Sequence, residues 1–222
     1  SWTVVSGSAA TVAADGDVTA QANGTARVEG SAGSARDTAV VVVHQAVASV
    51  ALDSSVLGYG ALLASDTVRV TAFDSAGAVV TRPYSATWTS SDPTVASVTP
   101  VDTIRAVVRS EANGTVAIET AVEGKVDTVD VTVAQMVDSV AITAADTLNA
   151  IGYTTVVTAQ PMDANGQSTD DAVTWTALDP AVATIAAGET VTAVAPGTAR
   201  FTAGAGGVED TTAILVRQVA HT

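Results

Sequence analysis

The chain has 222 residues and a formal charge of −14, from 23 acidic side chains against 9 basic ones, with Lys125 the only lysine and no cysteine. That charge repels polyanions, which argues against nucleic acid and anionic membrane surfaces as partners, and without thiols there can be no disulfide or thiolate metal site. The most apolar run, residues 39–52, is 14 long and carries His44, Gln45 and Ser49, short of the ~20 apolar residues that a spanning helix needs.

Val, Ala, Thr, Ser, Gly and Asp dominate, and the strand formers Val and Thr outnumber the long helix formers, so the chain reads as all-β. One stretch occurs three times: WTVVSGSAATV from Trp2, WTSSDPTVASV from Trp88 and WTALDPAVATI from Trp175, spaced 86 and 87 residues apart. Pro at Asp92-Pro93 and Asp179-Pro180 presets a tight turn, and the indole supplies a large apolar area, so the motif is a packing device. Trp2, Trp88 and Trp175 are predicted as core residues, together with Val98 and Ile185 on the strands that follow.

Sixteen residues past each Trp comes an apolar residue, Val18, Ile104 or Val191, predicted to lie on a strand. Next come NGTARV (23–28), NGTVAI (113–118) and PGTARF (196–201), where Gly24, Gly114 and Gly197 are expected at positive φ. Ile118 and Phe201 share the core phase with Val28, and Arg27, Ala117 and Arg200 take the other phase, a period-2 pattern with one buried face. The last strand of each repeat opens with Asp-Thr at Asp37, Asp127 and Asp210, and a Gln follows it at 45, 135 and 218. Ahead of the Trp, strands end in Asp-x-x-Gly turns at Asp74–Gly77 and Asp163–Gly166. The middle repeat has four extra residues around VVRSEA (107–112), expected in a surface loop.

These rulers divide the chain into residues 1–45, the C-terminal half of a unit; 46–135; 136–218; and 219–222, the start of a further repeat. No Gly-rich, Pro-rich or charged linker separates them, so neighbouring units are expected to form a stiff rod. The half unit would leave Val12, Val18, Val28 and Val40–Val43 open to water. Either further sequence of a longer chain or strands from an adjacent chain would complete it.

The order of SVAL, an Asp-x-x-Gly turn, WTSSDPTVASV, Gly-Thr with its strand and Asp-Thr with a Val-rich strand resembles the bacterial immunoglobulin-like domain of group 2. The first copy departs from the pattern, since SGSAATV lacks the Asp-Pro. The resemblance implies tandem Ig-like Greek-key β-sandwiches on bacterial surfaces, as in adhesins and stalk proteins, or as accessory domains of phage tail proteins and secreted enzymes. It implies no catalytic residue.

The residues agree that catalysis has little raw material. His44 and His221 are the only histidines, and no motif sets a Ser or Cys nucleophile beside either. GYG (58–60) and GAGG (204–207) match no phosphate-binding fingerprint and read as loops. Asp15 and Asp17, and Asp170 and Asp171, place paired carboxylates as Ca²⁺ would use them. Outside any EF-hand pattern they read as solvated turn and edge residues, with a weak calcium site as the alternative. Asn23 and Asn113 satisfy a glycosylation sequon, yet Pro196 in the third copy favours a turn role. Tyr59, Tyr84 and Tyr153 form no spaced platform for a glycan.

The reading is therefore a non-enzymatic, cofactor-free structural segment of an extracellular or cell-surface stalk or filament. Its partners would be neighbouring Ig-like domains of the same or an adjacent chain. An adhesin or glycan-binding module engaging surface or host ligands is the alternative.

Overall fold

The computed structural model describes residues 1–186 and 189–218, and every regular element among them is a β-strand. The first set comprises β1 (Trp2–Ser6), β2 (Ala10–Val12), β3 (Val18–Ala20), β4 (Gly24–Ala32) and β5 (Ala35–Val43), hydrogen-bonded as β1-β4-β5 and β2-β3. The second comprises β6 (Ser49–Leu52), β7 (Val56–Tyr59), β8 (Ser65–Phe73), β9 (Thr87–Ser90), β10 (Ala96–Pro100), β11 (Arg105–Ser110), β12 (Gly114–Val122) and β13 (Lys125–Val133). Its two sheets run β10-β11-β8-β6 and β7-β13-β12-β9, the Greek-key order of an Ig-like sandwich. The third comprises β14 (Ser139–Thr143), β15 (Thr147–Leu148), β16 (Thr154–Val156), β17 (Thr158–Met162), β18 (Thr174–Ala177), β19 (Ala183–Ala186), β20 (Thr190–Ala193), β21 (Gly197–Ala205) and β22 (Val208–Val216). It repeats the scheme as β15-β22-β21-β18 with β16-β20-β19 and β14-β17, because the strand corresponding to β8 is interrupted at Val157. The predicted start of a further repeat at 219–222 lies outside the described residues, as does His221.

Alternation decides which face is buried. Val116, Ile118, Thr120 and Val122 of β12 point inward with Val129, Val131 and Val133 of β13, while Asp130 and Thr132 face water. In the third set Ala199, Phe201 and Ala203 of β21 do the same with Ile214 and Val216 of β22. Phe201 and Ile118 are fully buried, and each such side chain contributes about 1.5 to 3 kcal/mol of transfer free energy. Val98 and Ile185 are half-buried against the cores of their sets.

Trp88 and Trp175 are also half-buried, and each touches both apolar clusters of its sandwich. Trp2 differs from the expectation: it is 48% exposed. The first set contains no counterparts of β6, β7 and β8, so its second sheet is the β2–β3 hairpin alone, and the indole, without strands closing over it, lies against Gly16 and Gly30. The same absence exposes Val18, whereas Val40 and Val42 take the outward phase of β5, that of Asp130 and Thr132 in β13, and face water by alternation; Val28 is buried, and Val41 and Val43 pack on a small cluster of Ala9, Ala10 and Ala26.

The extra residues of the middle repeat are not in a loop. Ala10 pairs with Ala20 and Ala183 with Ala193, but Ala96 pairs with Ser110, so the four residues lengthen both strands of the β10–β11 hairpin. Val108, fully buried on β11, therefore takes the place of Val18 and Val191, and Ile104 sits at the turn end just ahead of β11. Ser110 is buried as well. Likewise Gly58 and Tyr59 belong to β7, and Gly204 and Ala205 to β21, leaving only Gly206 and Gly207 of that cluster in a turn. Gly114 and Gly197 have φ of 151° and 149°, and a Cβ at either would press on Val95 or Val182.

Candidate functional site

Three side chains noted separately in the sequence converge where one strand set meets the next. Gln45 follows β5 directly, and its backbone N–H donates to Asn23 Oδ1 at 2.6 Å while Asn23 Nδ2 donates to Gln45 Oε1 at 2.6 Å. Gln45 Nε2 then reaches across to the second set and donates to Asp74 Oδ2 at 2.9 Å. The second junction repeats the arrangement. Gln135 N–H donates to Asn113 Oδ1 at 2.8 Å, Asn113 Nδ2 to Gln135 Oε1 at 3.0 Å, and Gln135 Nε2 to Asp163 Oδ2 at 2.9 Å. Each clasp joins the corner before β4 or β12, the exit of the last strand, and the Asp-x-x-Gly turn of the following set. An amide is suited to this, since it donates and accepts at once.

Local geometry prepares the Asp. Asp74 Oδ1 accepts from Ala76 and Ala78 N–H, and Asp163 Oδ1 from Asn165 and Gln167 N–H, while Gly77 and Gly166 turn the chain at φ of 78° and 73°. The second oxygen is left facing the junction. Donation from Gln45, reinforced by the Ala78 and Ala76 amides, holds the Asp74 carboxyl below its ordinary pKa. Asp163 is only 1% exposed, and among the described residues the ion pairs, from Arg36–Glu29 to Arg200–Asp179, do not include it. Burial pushes its pKa up, but donation by Gln135, Leu62, Gln167 and Asn165 outweighs this and leaves the carboxyl below its ordinary value.

The two junctions are reinforced differently. At the first, Thr81 N–H donates to Gln45 Oε1 at 3.1 Å and Arg82 Nε to the Gln45 carbonyl at 2.6 Å, while Arg82 Nη2 pairs with Glu123 Oε1 at 2.6 Å. Glu123 holds a φ of 50° in the β12–β13 turn, a strained place for a side chain that this ion pair employs. At the second junction Leu62 N–H donates to Asp163 Oδ2 at 2.8 Å and Asn165 Nδ2 to the Leu62 carbonyl at 2.7 Å. Ser110 positions that loop, because its Oγ donates to Ala61 O at 2.8 Å and accepts from Ala64 N–H at 3.0 Å. Backbone bonds add Met136 N–H to Gly60 O at 2.9 Å, and Val137 packs under the third core.

The other sequence candidates lie elsewhere. Asp170 and Asp171, exposed, occupy the places of Thr81 and Arg82, as the matching Phe73–Val79 and Met162–Ser168 bridges establish. Asp15 and Asp17 are exposed in the β2–β3 turn, with Asp15 Oδ1 accepting from Asp17 N–H. Among the described residues no three His, Cys, Asp or Glu side chains gather as a metal site would require. His44 is exposed beside Gln45. A glycan on Asn23 or Asn113 would occupy the Nδ2 that donates to Gln45 or Gln135. Tyr59 is buried with its hydroxyl donating to Val108 O at 3.1 Å, and burial, with Asp66 nearby, raises its pKa to about 12. Tyr84 accepts from Ala72 N–H, and Tyr153 is exposed in a separate set.

Residues 136–216 match the family model of the bacterial Ig-like domain (group 2), so the third set belongs to that family. No curated protein matches the chain in sequence. Among solved structures, surface layer protein SbsC, domains 4–9, is 21% identical over 99% of this chain and 39% of its own, with a TM-score of 0.38. Invasin, titled a bacterial integrin-binding protein, is 16% identical over 91% of this chain and 47% of its own at a TM-score of 0.43. The Yersinia pseudotuberculosis adhesin InvE is 14% identical over 76% and 58%, at 0.35. The chain spans less than half the length of the SbsC and invasin chains.

Proposed function

We propose that this chain is a non-enzymatic structural segment of an extracellular, surface-held protein, a spacer that converts residue count into reach. The observation that carries this reading is the clasp of Asn, Gln and Asp, built twice with the same atoms in the same roles. A hinge needs slack between sets, whereas here the residue after the last strand is itself tied to both sides. Residues 46–135 and 136–218 would be the repeating units, working without a cofactor, and the acidic surface would keep the array solvated and apart from its neighbours.

Small-angle scattering tests the reading. At roughly 35 to 45 Å per unit, two and a half units in line give a radius of gyration of about 30 Å, against about 17 Å for a compact globule of this length. A rod-like profile with the larger radius is expected. The smaller radius, or the scattering of freely jointed units, would remove the spacer mechanism and leave the fold untouched.

A further inference from the structure

If the chain is a spacer, tension enters each set at its first strand and leaves at its last, and the strands that share that load differ between the second and third sets. In the second, β7 lies parallel to β13 and pairs Val56–Tyr59 with Asp130–Val133. Asp130 N–H to Ser55 O at 3.0 Å and Ala134 N–H to Tyr59 O at 2.9 Å extend the contact at both ends. In the third, β15 lies parallel to β22 but pairs only Thr147–Leu148 with Leu215–Val216, flanked by Leu215 N–H to Asp146 O and Arg217 N–H to Leu148 O. Two parallel strands pulled from the start of one and the end of the other slide lengthwise, so their evenly spaced hydrogen bonds are strained together rather than opened one by one. Resistance then grows with the number of pairs.

The sequence explains the shortening. Leu57 packs against the second core, and the register places Asp146 at the same point of the third set, where it is exposed. A carboxylate does not enter an apolar core without a partner, so the strand leaves the ladder ahead of Thr147. The first strands differ the other way by one pair only, β6 pairing over four residues and β14 over five, against a difference of two in the parallel ladders. The strand behind them favours the second set too: β8 is continuous, and its counterpart is broken at Val157.

We infer that the chain is a graded tension element, in which the third set yields first and the second holds. This rests on the spacer reading for its purpose but not for its test. Yielding under force follows the unfolding rate rather than the equilibrium stability, which is why the ladder under shear decides the order.

Pulling the full chain from its two ends should unfold the second and third sets in separate events, the third at roughly half the force of the second, as two sheared pairs against four imply. Ala145→Val combined with Asp146→Leu copies the Val56-Leu57 pattern into the third set and should raise only the weaker event, narrowing the gap. Leu57→Asp should lower only the stronger one, with a thermal melt to verify that this variant folds. Equal forces in the parent chain, or a weaker event unmoved by the Ala145→Val and Asp146→Leu pair, would overturn the inference. A chain that scatters as a rod yet yields at one force keeps the spacer and loses the grading; graded forces in a compact scatterer do the reverse.

Discussion

Replacing Trp88 with Ala is expected to cost the second strand set ~3 to 5 kcal/mol, enough to unfold a marginal domain. The indole touches the cluster around Ile118, Val129 and Val131 and also the cluster around Val70, Val80 and Val122, so its loss opens a cavity between the two halves of the core. β12, whose Thr120 stands opposite Trp88, is held by ladders to β9 and β13 on both sides and cannot move in to fill the space. Trp88→Phe should be far milder. It keeps a ring in place and removes an Nε1 that is buried without a hydrogen-bond partner. Trp2→Ala should shift the melt least, since that indole is half in water. Thermal denaturation of the three variants checks the order, and equal shifts would contradict the wedge role assigned to Trp88.

The second large effect is expected from Asp163→Ala, at about 2 to 4 kcal/mol, because four donors converge on that carboxylate and removal leaves them unpaired at a closed junction. The damage should spread to the loop of the second set that presents Leu62. The same carboxylate predicts a dependence on pH. Its folded pKa lies below the ordinary value, so the stability it lends is complete above the unfolded carboxylate pKa of ~3.9 and is lost as pH falls through the folded value. Asp163→Asn cannot titrate, so its melting temperature should fall less steeply in acid than that of the parent. Parallel acid profiles for the two proteins would show that the carboxylate does not hold the junction.

Much of the fold can be read from the residues. The alternation that puts Ile118 and Phe201 inside is a local property of each strand, and the glycines at 114 and 197 are demanded by a corner that any side chain would crowd against Val95 or Val182. The β10–β11 hairpin escaped for a physical reason. The four added residues fall two in each arm of the hairpin, and an even insertion keeps the inward phase, so Ile104 and Val108 fit the same pattern and only the pairing of Ala96 with Ser110 reveals the true register. Trp2 was misplaced because its neighbours in sequence match those of Trp88 while its neighbours in space do not exist in the first set.

The clasp was the least legible part. Asn before Gly, Gln after a strand and Asp ahead of a turn each have a sufficient local explanation, and nothing in a linear pattern requires the three to meet. The one hint was positional: Gln45 and Gln135 stand 22 residues after Asn23 and Asn113, and 29 and 28 residues before Asp74 and Asp163. In the third repeat Pro196 replaces the Asn, which withholds the amide that the other two corners offer to a following Gln.

If these clasps fix the angle between neighbouring sets, the distance across one junction has a single narrow distribution. The chain has no cysteine, so Thr128→Cys and Thr184→Cys, both at exposed positions, would carry spin labels on the second and third sets alone. One narrow distance distribution is expected for the labelled chain and a markedly broader one after Gln135→Ala, with both sets still folded. A broad distribution in the parent, or one that Gln135→Ala leaves unchanged, would contradict an angle fixed by the clasps.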